Sequence, residues 1–283
     1  MTTEQDTANL RNLFSAAGLS RIAPALLPLQ AGSLRLKARA VDEQQLALGA
    51  GKLGGLPDLP AGVAWPAWNG TPLGLVAQIH LDDVRAQPAA QVLPNAGWLY
   101  FFYDGRQQAF GDKPADRGAW QVLYAPAGPL TRQAAPAGLP AESRFKPCAV
   151  DFSPELTLPQ NPPVFVPKLD WTPDEQHKYE DLLEQHFSNR STPRHRLLGQ
   201  TDEIQDDMHQ QAQLLSHGLA DDQDPRAAGL AEGALNWQLL LQVDSDDAAG
   251  MRWGSSGMLY FLIEKSALQA RRFDNVWMVM QSD

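Results

Sequence analysis

The chain has 283 residues and one cysteine, Cys148, so no disulfide can form within it, as suits a reducing compartment. No stretch approaches the roughly 18 uncharged apolar residues of a membrane span. Residues 1–6 are polar and acidic, without the basic patch and apolar run of a secretory signal, so a cytoplasmic protein is expected. The six histidines, His80, His177, His186, His195, His209 and His217, show no His-x-x-x-His spacing, and none adjoins Cys148. Zinc is therefore not expected, and Cys148 reads as a small buried apolar residue unless a histidine folds against it. No G-x-S-x-G motif is present, which argues against an α/β-hydrolase.

Bases are scarce too. Lys and Arg number 23 against 33 Asp and Glu, a net charge of −10. The imbalance is local: residues 199–251 hold eleven acids and one base, Arg226. A nucleic-acid binder carries a basic footprint, so that class is disfavoured. Two readings of the acidic segment remain. It is a solvated face, or it is a docking surface for a basic partner that its field would steer into contact. On the second reading the contact residues are Asp202, Glu203, Asp206, Asp207, Asp221, Asp222, Asp224, Asp246 and Asp247.

Two motif matches fail on their surroundings. Gly49-x-Gly51-x-x-Gly54 has the spacing of a dinucleotide loop, but the prolines Pro57 and Pro60 follow it where a phosphate-binding helix must start. Asp244-Ser245-Asp246-Asp247 opens like a calcium loop, yet its sixth position is Ala249 and its twelfth Ser255, not Gly and Glu. No metal, cofactor or catalytic set is expected.

The chain does carry an internal likeness. Leu75 to Ile79, then Asp82-Asp83, then Gly97 to Phe102 is matched by Leu240 to Val243, then Asp244, Asp246 and Asp247, then Gly257 to Leu262. A Leu-Gly precedes each run, at Leu53-Gly54 and Leu198-Gly199. The expected fold is one α+β domain over residues 1–283: two β-rich halves related by internal duplication, about 33–125 and 195–281, forming a mostly antiparallel sheet with peripheral helices. Strands are expected near 33–41, 73–79, 97–103, 120–124, 237–243, 258–264 and 276–280. Helices are expected in 7–27, at 206–217 with Gly218 as a stop, and at 266–271. Another opens at Thr172, where Pro173 and Glu175 complete a capping box. The proline-rich stretch 126–167 reads as a surface connection with short strand pieces at 149–152 and 155–158. Residues 218–233 read as a mobile acidic loop.

Gln78 and Gln242 sit at matching places in otherwise apolar strands. A buried amide needs partners, since an unsatisfied one costs on the order of 1–3 kcal/mol. Each stitches its own loop to the sheet, or both line a groove between the halves with Trp65, Gln205 and Trp253.

Together these words resemble the YwqG-like family. Leu53 to Pro60, Trp65-Pro66, Ala77-Gln78-Ile79 and Gly97 to Phe102 are similar to its first half. Leu197-Leu198-Gly199, Ile204-Gln205, Leu240 to Asp244, Trp253-Gly254 and Gly257 to Phe261 are similar to its second. The resemblance spans about 34–281 and implies an α+β domain of unknown function, whose members also occur among predicted immunity proteins of bacterial toxin systems. This chain has Ser255 where the family usually has Asp, and Gln200-Thr201 where it tends to have an aromatic residue and Pro. The expectation is a non-enzymatic immunity protein that binds a cognate, basic toxin of nuclease type, with no nucleic-acid or membrane partner. The alternatives are an enzyme or small-ligand binder with a cleft between the halves, and a housekeeping interaction module.

Overall fold

The structure, a computed structural model, describes residues 4–187, 193–205 and 207–283. Ten strands of the described residues form one antiparallel sheet. In chain order they are β1 (Ala31–Ala40), β2 (Lys52–Leu53), β3 (Gly74–His80), β4 (Trp98–Tyr103), β5 (Trp120–Ala125), β6 (Cys148–Thr157), β7 (Arg196–Leu197), β8 (Trp237–Asp244), β9 (Gly257–Glu264) and β10 (Trp277–Ser282). Their spatial order is β10-β9-β8-β7-β1-β6-β2-β3-β4-β5.

The long pair β1 and β6 forms the middle, in register from Ala31 opposite Thr157 to Ala40 opposite Cys148. This corrects the reading of 126–167 as a surface connection. Pro154, which splits the strand pattern, sits opposite Leu34 inside β6. A proline lacks the amide that a two-sided strand must donate. Here β2 pairs only with residues 148 and 149, so β6 has one free edge along the rest of its length, and proline is tolerated there.

Each flank repeats one plan: a two-residue strand, then three longer ones. The long strands are apolar nearly throughout because both their faces are covered. Inside, Phe101 meets Phe261 with ring centroids 5.1 Å apart, and Trp120 meets Trp277 at 4.9 Å. Such edge-on aromatic pairs add to the burial of their large surfaces. The sheet thus curls until its two end strands face each other, a nearly closed, barrel-like arrangement. The remaining gap is bridged by hydrogen bonds: Trp120 Nε1 donates to Val276 O, Trp277 Nε1 to Gly111 O, and the Met280 amide to Phe110 O. Outside, β3–β5 are roofed by the loop that carries Leu59, Trp65 and Trp68, which explains its stiff proline-rich sequence.

Among the described residues three helices exceed two turns: α1 (Glu4–Ala16), α2 (Pro173–His186) and α3 (Met208–Ser216). The first expected helix is shorter than 7–27, because Gly18 (φ +75°) turns the chain before a second short helix, Ala23–Leu26. Helices α1 and α2 pack together through Leu10, Phe14, Tyr179 and Leu182 as a satellite core. The capping box of α2 is present: Thr172 Oγ1 accepts from the Glu175 amide, and Glu175 Oε2 from the Thr172 amide. Arg21 then donates to Glu175 at 2.8 Å, and this bond is the main cause that draws the carboxyl down to about 2. In residues 218–233, read as a mobile loop, a turn of 3-10 helix at Ala227–Gly229 forms, and Leu219 and Ala227 are buried against Leu214.

Barrel closure should be sensitive at Gly111. Its φ is +74°, and a Cβ there would overlap the Met278 carbonyl oxygen. Gly111→Ala is expected to cost about 2–4 kcal/mol in chemical denaturation. Gly62→Ala is the control, with a similar φ of +82° but open space around it, and should cost about 1 kcal/mol. Equal costs would show that the closure adds nothing.

Candidate functional site

The matched glutamines are fully buried. Gln78 Oε1 accepts from the Asp58 amide at 2.8 Å, while Nε2 donates to Ala50 O at 2.8 Å and to Asp58 Oδ2 at 3.2 Å. Gln242 Oε1 accepts from the Asp202 amide at 2.9 Å, while Nε2 donates to Arg194 O at 2.8 Å and to Asp202 Oδ2 at 3.0 Å. A tyrosine from the neighbouring strand completes each set, with Tyr100 donating to Asp58 O and Tyr260 to Asp202 O. Each glutamine thus ties its own loop to its own strand, and neither lines a shared groove.

Each aspartate also faces a buried base. Lys52 Nζ lies 3.6 Å from Asp58, and Arg196 lies 3.0 Å from Asp202. Burial alone would raise the Asp58 carboxyl. Hydrogen bonds from Arg132 and the Gly49 amide, the Lys52 charge and the Gln78 amide outweigh it and hold the group below the usual carboxylate range. Burial likewise works against Asp202, and the charges of Arg196 and Arg194, with hydrogen bonds from Arg196 and Gln242, bring it down. Glu43 pairs with Lys52, and Glu155 with Arg196 and Arg35. These partners are absent from the expected site, although the sequence carries a signal for them: each aspartate stands six residues after its base, from Lys52 to Asp58 and from Arg196 to Asp202.

The remaining residues assigned to a groove lie apart. Trp65 is on the outer roof, against Phe102 and donating to Leu73 O. Trp253 is fully buried on the inside, against Tyr103 and Phe145. Gln205 is exposed and donates to Ser282 O. Through the interior the halves meet as packed aromatic rings, and of the groove residues Gln205 alone lines a cavity that both halves share, with Phe110 and Asp112 of the first half.

The acidic residues also divide. Asp221, Asp222 and Asp247 are exposed, and Asp224 is half-buried and paired with Arg226 at 2.7 Å. Asp202 and Asp246 are buried, which corrects their assignment to an open contact face. Asp246 accepts from His195 Nε2 at 3.1 Å, while His195 Nδ1 accepts from the Asp244 amide, so the ring proton must sit on Nε2. Asp206 lies outside the described residues. Cys148 is buried, and burial together with the negative charge of Asp246 pushes its thiol up to about 11. Little of it is thiolate near neutral pH.

Glu203 and Asp207, read as contact residues, are half-buried beside buried His209. Among the described residues this is the one group of three metal-ligating side chains whose ligand atoms all lie within 4.8 Å of one another. Asp207 caps α3, accepting from the His209 and Gln210 amides, and its Oδ1 lies 2.6 Å from His209 Nδ1. Glu203 accepts from Thr201 Oγ1 at 3.0 Å. Burial, with the charge of Asp207 nearby, pushes its carboxyl up to about 7. Asp207 also lines a cavity of about 460 Å³ with Asp112, Gln205, Gln211 and Gln281. A second cavity, about 530 Å³, opens just before β7 begins and is lined by Arg35, Lys37, Ser153, Glu155, His195 and Asp246.

Among known families, the model of a domain of unknown function, DUF1963, matches residues 51–282. No curated protein matches the chain.

Two predictions follow from this geometry. Gln78→Leu and Gln242→Leu each strand several buried groups, and each should cost about 3 kcal/mol in denaturant titrations. A cost below about 1 kcal/mol would mean that the loops rest on other contacts. Because folding raises the Glu203 pKa from 4.5 to about 7, its stabilising protonated form is full below pH 4.5 and lost as the pH rises through 7. Glu203→Gln should therefore raise the thermal midpoint at pH 8 in chelator-treated protein and leave it nearly unchanged at pH 4. Identical shifts at both pH values would contradict this.

Proposed function

The chain belongs to the DUF1963 family, and we propose that it acts as a non-enzymatic binding protein whose acidic loop, residues 218–233, docks a basic protein partner. The observation that carries this reading is the placement of Asp221, Asp222 and Glu232. All three are exposed, on a loop pinned to the body by Leu219 and Ala227. A pinned loop loses little conformational freedom on binding, and its charge speeds encounter with an opposite one. Asp247 is separate: it lies beyond the C-terminal end of β8, whereas the loop precedes its N-terminal end. It is a secondary contact at most.

Within this reading the partner is a bacterial toxin of nuclease type, and the chain is a cytoplasmic immunity protein. Such toxins need a basic surface to hold phosphates, which an acidic inhibitor can cover. The YwqG-like resemblance supports this choice. The packed aromatic interior and the full use of both glutamines favour it over a small-ligand cleft built on Gln78 and Gln242. We also read the halves as copies of one ancestral unit. The support is the recurrence of base, aspartate, glutamine and tyrosine in one bonding pattern on both flanks.

Co-expression with the product of a neighbouring toxin gene should rescue growth, and the purified pair should co-elute. Asp221→Lys combined with Asp222→Lys should slow association at least about 10-fold at low salt, with the fold intact by circular dichroism. Absence of both rescue and complex would contradict the toxin reading. A complex indifferent to the charge reversal would contradict the loop.

A further inference from the structure

Glu203, Asp207 and His209 make more of a site than a helix cap requires. A cap needs one acceptor at the start of α3, and Asp207 supplies it. Glu203 adds a second, partly desolvated carboxylate that bonds no helix amide; its bond is from Thr201. Among the described residues, no Lys or Arg forms an ion pair with Glu203 or Asp207. The partner of Asp207 is instead the imidazole of His209, 3% exposed and held edge-on by the Phe165 ring at 5.2 Å. On the far side of Asp207, the 460 Å³ cavity continues to Asp112, whose carboxyl bonds that of Asp116 and so adds negative rather than positive character.

We propose that Glu203, Asp207 and His209 bind one divalent first-row transition-metal ion. The donors are two carboxylate oxygens and one imidazole nitrogen, a mixed set that suits zinc, manganese or cobalt rather than calcium, which takes oxygen donors alone. Their mutual spacing, within 4.8 Å, is close to the separation of atoms sharing one ion at bond lengths of about 2.0–2.2 Å. The cation would take the place of the proton held between Asp207 and His209 and neutralise the second carboxylate. Three protein ligands leave at least one position for water or a ligand atom, and Asp207 places the ion at the edge of the cavity. The imidazole and its packing set this group apart from the exposed carboxylates of the 218–233 loop. The inference stands whether or not the chain inhibits a toxin.

The test uses the full chain, stripped with chelator and titrated with Zn²⁺ by calorimetry and with Co²⁺ by visible absorption. One equivalent should bind, with cobalt bands indicating nitrogen and oxygen ligands. Glu203→Gln and His209→Gln should each weaken binding at least about 10-fold. Asp221→Asn, in the exposed loop, should leave it unchanged. If His209→Gln fails to fold, Glu203→Gln decides alone, because it removes a buried charge and keeps the cap. Binding well below one equivalent, or affinity unchanged in Glu203→Gln, would overturn the proposal and leave Asp207 as a helix cap only.

Discussion

A primary amide buried inside a sheet can be kept only if its oxygen and both its hydrogens are used. Gln78 and Gln242 meet that condition by reaching out of the sheet to the backbone of loops, at Ala50 and Asp58 on one side and at Arg194 and Asp202 on the other. Much else follows. Each aspartate must present its carboxylate to the glutamine, so each needs a buried base, and each base then calls for a second acid, Glu43 or Glu155. The loops fixed in this way leave the sheet at Gly54 and Gly199, both at positive φ. One of them becomes the roof over β3–β5, and the other leads to Glu203 and α3.

Such networks contribute more to specificity than to raw stability. Two charges removed from water recover their desolvation only with good geometry and full hydrogen bonding. Lys52 and Arg196 have both, held among two carboxylates and backbone carbonyl groups. The bulk of the stability comes from the apolar interior, where rings of β4 and β5 meet rings of β9 and β10. Closing the barrel there fills the interior between the halves and confines their shared open space to cavities such as the one lined by Asp112 and Gln205. It also sends the exposed, chemistry-bearing residues to the rim and the loops.

The three longer strands of each flank were legible in the sequence because their apolar runs are bounded by glycine and proline, whereas the two-residue strands β2 and β7 were not. Helix α2 was legible too, through Thr172, Pro173 and Glu175. The central strand β6 was legible only as two short pieces, 149–152 and 155–158, because Pro154 breaks the pattern and only the pairing in space joins them and shows which edge is free. Burial of Asp202 and Asp246 was also hidden. A count of charges cannot distinguish a solvated carboxylate from a bonded one: Arg196 stands only six residues before Asp202, but its contact depends on how the turn folds, and His195 is remote in sequence from Asp246. The cluster of Glu203, Asp207 and His209 fails every regular ligand spacing, because Glu203 belongs to the irregular chain before α3 and only the turn at the helix start brings it back.

The central claim is that both loops are held to the sheet through a glutamine side chain. Native-state hydrogen exchange at the Asp58 and Asp202 amides tests it most directly, since each donates to the amide oxygen of its glutamine. The account predicts that both protons exchange only with global unfolding, at the same protection as the interior amides of β3 and β8. Rapid exchange at either amide, with the strands still protected, would show a loop that opens on its own and would contradict the account.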